Sequence, residues 1–156
     1  MQNDSDHRSQ QLVRGSQEWR RVGMQLSFAL YSANNRVIRL HRPYLKPLGL
    51  TYPQSLVMHV LYDGTPRTVG EIGAQLGMEN GTLTPLLKRL ESAGLLTRNR
   101  DQEDERRVLI DLTESGEALR EEVCSIAEKI ETACRFSDKE LAELRNTLED
   151  LGRSPQ

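Results

Sequence analysis

The chain has 156 residues, 37% hydrophobic, 28% charged and 4% aromatic, with a formal net charge of −2 at neutral pH. That length supports one filled core, or a core with extra helices that need a partner. The first twenty residues are polar and no apolar run approaches the ~18 residues of a membrane span, so the expectation is a cytoplasmic protein with no membrane partner.

Cys124 and Cys134 lack C-x-x-C spacing, and His7, His41 and His59 form no cluster with them, so no metal site and no cofactor are expected. On one helix the two cysteines would stand roughly 15 Å apart, too far for a disulfide within it. Charge is uneven along the chain. Residues 8–48 hold eight Lys and Arg against the single acid Glu18, residues 67–113 are nearly balanced, and residues 114–156 carry six basic against eleven acidic groups. A nucleic-acid partner therefore has to be argued from particular basic side chains placed by the fold, not from bulk charge.

In chain order, residues 1–15 have no apolar period and read as a flexible arm. From Ser16 to Lys46, Trp19, Val22, Leu26, Leu30, Val37, Leu40 and Tyr44 recur at helical spacing, with Pro43 and Pro47 predicting a kink and then an end. Thr51-Tyr52-Pro53 reads as an N-cap and first turn of a helix to Tyr62. Asp63-Gly64-Thr65-Pro66 is a turn, and Arg67-Thr68-Val69 a short extended piece. A two-turn helix follows over 70–76 and ends at Gly77. Asn80 is expected to cap the next, whose Leu83, Leu86, Leu87 and Leu90 define one apolar face until Gly94 stops it. The early Pro85 places the true start near Thr82 or makes the first turn irregular.

The period then changes. Residues 95–100 and 107–112 are β-compatible runs joined by the charged tip Asp101-Gln102-Glu103-Asp104-Glu105-Arg106, a hairpin wing. Thr113 is expected to cap one helix to Cys134, and Ser137 with Glu140 a capping box for a last helix bearing Leu141, Leu144, Leu148 and Leu151. The predicted fold is mainly α with a small β-wing, a winged helix-turn-helix in the order α-α-β-α-α-β-β-α-α.

A wing directly after a helix-turn-helix sets a reader for the major groove beside one for the minor groove or backbone. Opposite the leucines, Gly81, Thr82, Thr84, Pro85, Lys88 and Arg89 offer small residues for close approach, hydroxyls for phosphates or bases, and an arginine able to grip guanine. At the wing, Asp104 and Arg106 are two apart, so in an extended strand the carboxylate would orient the guanidinium, and Arg98 stands at the base. Double-stranded DNA is the partner this pattern implies. A protein-protein adaptor that kept the winged fold is the rival, disfavoured by the Thr/Arg face and the Asp-x-Arg wing. No Ser/His/Asp set, phosphate loop or metal cluster suggests an enzyme.

Asp104-x-Arg106 followed by five residues and Leu112-Thr113 resembles the wing signature of the MarR family of regulators. Phe28-Ala29-Leu30-Tyr31, Leu50-Thr51-Tyr52-Pro53-Gln54 and the stretch Gly81 to Leu90 resemble its organic-hydroperoxide-responsive branch. The resemblance covers about Met24 to Leu151. It implies a homodimeric repressor on a pseudo-palindromic operator, with a dimerisation helix over 16–48, a DNA-binding core over 49–113 and C-terminal dimerisation helices over 114–156. Thr82, Thr84, Lys88 and Arg89 would then face the major groove, with Arg98, Asp104 and Arg106 at the wing. It also implies a small-molecule effector pocket built by Ser27, Tyr31, His41 and Tyr52.

Two positions depart from that branch. Its reactive cysteine precedes the Phe-x-Leu-Tyr stretch, where this chain has Ser27, and a hydroxyl forms neither a thiolate nor a sulfenic acid at neutral pH. A tyrosine that would bond the sensor thiol is replaced by His41.

Overall fold

The structure is a computed structural model and describes residue 23 and residues 25–153. The expected arm and the start of the first helix, with Trp19 and Val22, lie outside the described residues. The chain divides into two compact units, Met1–Leu40 and His41–Gln156.

Helix α1 runs Leu26–Leu45. In the first unit it carries Leu26, Phe28, Tyr31, Val37 and Leu40, all exposed. In the second, Pro43 falls in its last turn and the helix ends two residues later, at the buried Leu45. A short 3-10 turn, Lys46–Leu48, follows, closed by the left-handed Gly49.

Helix α2, Tyr52–Asp63, begins as its sequence predicts. The Gln54 amide donates to the Thr51 hydroxyl at 3.4 Å and the Gln54 side chain accepts from the Thr51 amide at 2.8 Å, so two orphan donors are satisfied reciprocally. After β1, Arg67–Thr68, a second capping box of Thr68 with Glu71 starts α3, Val69–Leu76, one residue before the expected start. The Glu71 carboxylate accepts from the Thr68 amide at 2.7 Å, and this bond holds its pKa below the usual carboxylate range. Gly77 takes the left-handed conformation that ends α3.

Helix α4 spans Asn80–Ser92. Asn80 is its first residue and not its cap: Glu79 occupies the N-cap with no side-chain bond, so the helix starts without the expected reinforcement. Pro85 lies inside it, and its missing N–H leaves the Gly81 carbonyl without the usual donor one turn on. The far end is tightly determined. Gly94, at φ 73°, donates to Glu91 O at 2.9 Å, and Leu95 donates to Leu90 O at 3.0 Å, a Schellman stop that turns the chain straight into the wing.

The wing strands are β2, Leu96–Arg100, and β3, Val108–Leu112, within an antiparallel sheet of order β1-β3-β2. Beyond it the expectation of one helix from Thr113 to Cys134 is corrected. There are two, α5 (Glu114–Ala118) and α6 (Arg120–Cys134), divided at Leu119. Gly116 backs directly onto the Leu95 carbonyl, which anchors α5 to the wing base, whereas α6 must aim Val123, Ile126 and Ile130 into the core. The last helix, α7 (Asp138–Arg153), starts at the expected Ser137–Glu140 box, with Glu140 Oε2 accepting from the Ser137 amide at 2.8 Å.

One core serves the second unit. Val57, Met58 and Leu61 of α2, Ile72 of α3, Leu83, Leu87 and Leu90 of α4, Ile110 of β3 and Val123 of α6 are completely buried. Helix-turn-helix and wing therefore rest on a shared apolar floor. In α7, Leu144, Leu148 and Leu151 stay exposed.

Candidate nucleic-acid interface

The two faces of α4 separate cleanly. With Leu83, Leu87 and Leu90 in the core, Gly81, Thr82, Pro85, Lys88 and Arg89 are exposed and Thr84 is half-buried at the edge. Among the described residues neither Lys88 nor Arg89 has an ion-pair partner within 4.0 Å. Both cations therefore face water with nothing to displace before they meet an anion.

The wing tip corrects the expected geometry of Asp104 and Arg106. They lie in a turn, not an extended strand: the Arg107 amide donates to Asp104 O at 2.9 Å and the Arg106 amide to Asp104 Oδ1 at 3.1 Å. That carboxylate reaches the Arg106 guanidinium only at 4.0 Å, and the Arg106 side chain is 95% exposed. The acids that look hostile to a polyanion are partly structural. Asp101 is largely buried, accepts from the Glu103 amide at 2.9 Å and pairs with Arg107 at 3.8 Å. Two of the four tip acids thus build the loop that holds Arg106 outermost.

Arg98 does not join this exposed set. Its side chain is 21% exposed and pairs with Glu91 of α4 at 3.6 Å. At the base of the wing, the Thr113 amide donates to Leu95 O at 3.2 Å and the Thr113 hydroxyl to Gly94 O at 2.6 Å, while the same hydroxyl accepts from the Gly116 amide at 3.0 Å.

Of the residues expected to form an effector pocket, Ser27 and Tyr31 stand exposed on α1 in the first unit. In the second unit His41 and Tyr52 meet, their ring centroids 4.5 Å apart and tilted by 58°. They border a cavity of about 170 Å³ whose walls include Leu45, Ser55, His59 and Ile126. His59 escaped the sequence reading, although Tyr52, Ser55, Leu56 and His59 follow i, i+3, i+4, i+7 and so share one face of α2. Burial lowers the His59 pKa below its ordinary value, with Asp63 opposing and the neighbouring His41 reinforcing the shift.

Tyr62 is a second residue that sequence reasoning missed. Its hydroxyl donates to Gly116 O at 2.9 Å, its carbonyl accepts from Arg120 at 2.7 Å, and the Arg120 guanidinium lies 4.9 Å from its ring centroid. Burial, aided by Cys124 and Glu117 and opposed by Arg120, pushes the phenol up to about 12. Cys124 and Cys134 are free thiols on α6, the first exposed and the second half-buried. Among the described residues no three His, Cys, Asp or Glu groups could hold a metal, and no helix is long and apolar enough to cross a membrane.

Comparison with known proteins gives a consistent set. The family described as "Transcriptional regulator SarA/Rot" matches residues 39–123. The organic hydroperoxide resistance transcriptional regulator of Bacillus subtilis is 42% identical over 127 residues, covering 81% of this chain and 86% of that one. The HTH-type transcriptional regulator MgrA of Staphylococcus aureus is 38% identical over 125 residues, covering 80% and 85%. Among solved structures, that of reduced AbfR bound to DNA, a protein of Staphylococcus epidermidis, superposes with a TM-score of 0.70 at 35% identity, covering 87% of this chain and 98% of that one. These relatives are named as regulators and not as enzymes.

Proposed function

The chain belongs to the family of SarA/Rot transcriptional regulators, and from that premise we propose that it is a sequence-specific DNA-binding repressor of the MarR winged-helix type, acting as a homodimer on a pseudo-palindromic operator. One observation carries the reading. The polar face of α4 and the wing tip present Thr82, Lys88, Arg89 and Arg106 to solvent on elements packed on one core, with two of the four tip acids, Asp101 and Asp104, bonded into the loop. Thr82, Thr84, Lys88 and Arg89 meet the major groove, and Arg106, steadied by Asp104, enters the minor groove.

The dimer is supported by the apolar side chains left exposed on α1 and α7, Leu26, Phe28, Val37, Leu144, Leu148 and Leu151, which a second copy would cover. Regulation by a small molecule fits the cavity beside His41, Tyr52 and His59. Ser27 cannot start the thiol chemistry of a peroxide sensor, so the effector acts without it. Titration of a labelled operator duplex with the protein over a range of salt tests the function: binding should be tight, sequence-dependent and steeply weakened by salt.

A further inference from the structure

Arg98 occupies an unusual place for a wing arginine. In the β2–β3 pair it stands directly opposite Ile110, and residues directly opposite across an antiparallel pair share a face. Ile110 is completely buried, and Leu96, two residues before Arg98 and therefore on the same face of β2, is 2% exposed. Arg98 thus projects from the core side of the sheet, away from the side on which a wing strand would meet DNA.

A cation on that face needs a counter-charge, because a partly desolvated charge without one is costly. Glu91 supplies it at 3.6 Å from the last turn of α4, one residue after the buried Leu90 and just before the Schellman stop. The Arg98 Nε is buried and has no hydrogen-bond partner among the described residues, so Glu91 carries the pairing through NH1.

We propose that Glu91 and Arg98 form a positioning clamp that sets the angle between α4 and the wing, so that Lys88 and Arg89 on one element and Arg106 on the other reach a single DNA site together. Arg98 is then a positioning residue and not a phosphate contact. The inference rests on the DNA interface proposed above and assigns Arg98 a different role from the one its sequence position implies. Removing Glu91 leaves the largely buried Arg98 charge without its ion-pair partner and loosens the tie between the end of α4 and β2.

Charge alone predicts the opposite sign for one half of the clamp. Deleting a carboxylate beside a polyanion should tighten binding, so weaker binding by Glu91→Gln reports lost position. The test measures operator affinity against salt for the full chain and for Glu91→Gln, Arg98→Met, Arg106→Ala, Lys88→Ala and the double variant Glu91→Gln/Arg106→Ala. Glu91→Gln and Arg98→Met should each weaken binding about tenfold, a coupling of ordinary size for a contacting pair. Both should leave the slope of log affinity against log salt unchanged, whereas Lys88→Ala should reduce it by about one. In the Arg106→Ala background Glu91→Gln should cost under about twofold, because the wing it positions has already lost its reader.

A reduced slope for Arg98→Met, tighter binding by Glu91→Gln, or additive losses in the double variant would each overturn the clamp. Should Arg98→Met fail to fold, Glu91→Gln and its double variant decide the matter alone. Unchanged binding by both Lys88→Ala and Arg106→Ala would instead remove the DNA interface, and the clamp with it.

Discussion

The Thr113 hydroxyl donates a 2.6 Å hydrogen bond to the Gly94 carbonyl, joining the residue that leaves the wing to the residue that enters it. The same hydroxyl caps α5 by accepting from the Gly116 amide. Thr113→Ala removes both, so it should lower stability by about 1–2 kcal/mol, the usual range for a lost N-cap and a lost hydrogen bond. Thr113→Ser should retain most of it. Urea unfolding at fixed protein concentration checks this, and equal midpoints for Thr113→Ala and the parent chain would remove the tie from the account.

Gly116 needs to be glycine for a steric reason, since a Cβ there would collide with the Leu95 carbonyl oxygen, a backbone atom that cannot swing aside. Gly116→Ala should therefore destabilise by at least about 1–3 kcal/mol, as overpacking does. Gly81→Ala is the control, because a Cβ there meets nothing within 4 Å. Comparable thermal midpoints for the two variants would refute the close approach of α5 to the wing base.

Tyr62 gives a pH dependence on the alkaline side. Burial raises its pKa from 10.0 to about 12, so the folded chain holds the proton more tightly than the unfolded one. Its contribution is complete below pH 10 and is lost as pH rises through about 12. Tyr62→Phe should flatten stability over that window while losing the bond to Gly116 O. An unchanged alkaline slope in Tyr62→Phe would show that the phenol does not titrate as described.

Ser27 predicts the response to oxidant. With a hydroxyl at that position, the chain should remain on its operator when organic hydroperoxide is added. Ser27→Cys tests whether the surroundings still activate a thiol and should then confer release. Rapid release of the unaltered chain, abolished by Cys124→Ala or Cys134→Ala, would make one of those cysteines the sensor.

Local signals explain how much of this was readable beforehand. The Thr51 and Ser137 caps, the Gly94 stop and the leucine face of α4 depend on residues within one or two turns of each other, and all were legible. So was the wing, from its change of period. The break at Leu119 was not, because it follows from Gly116 meeting Leu95, 21 residues away in sequence. Nor was the inward aim of Arg98, which is set by its register with Ile110. Strand alternation predicts that Asp104 orients the Arg106 guanidinium, but both residues lie in a turn where the carboxylate accepts the Arg106 amide and approaches the guanidinium only to 4.0 Å. His59 was legible at i+7 from Tyr52 and went unread because a lone helical histidine gives no signal of the cavity it borders.

The most direct measurement is the affinity of the chain and of Arg106→Ala for an operator duplex, each as a function of salt. Arg106 is the most exposed arginine of the wing-tip ion pairs. Arg106→Ala should weaken binding by roughly 1–3 kcal/mol and relax preference where the minor groove narrows, while the parent chain loses affinity steeply as salt rises. Equal affinity and equal sequence preference for the two proteins, or binding by the parent chain that ignores salt, would contradict the winged-helix mode of DNA recognition proposed for this protein.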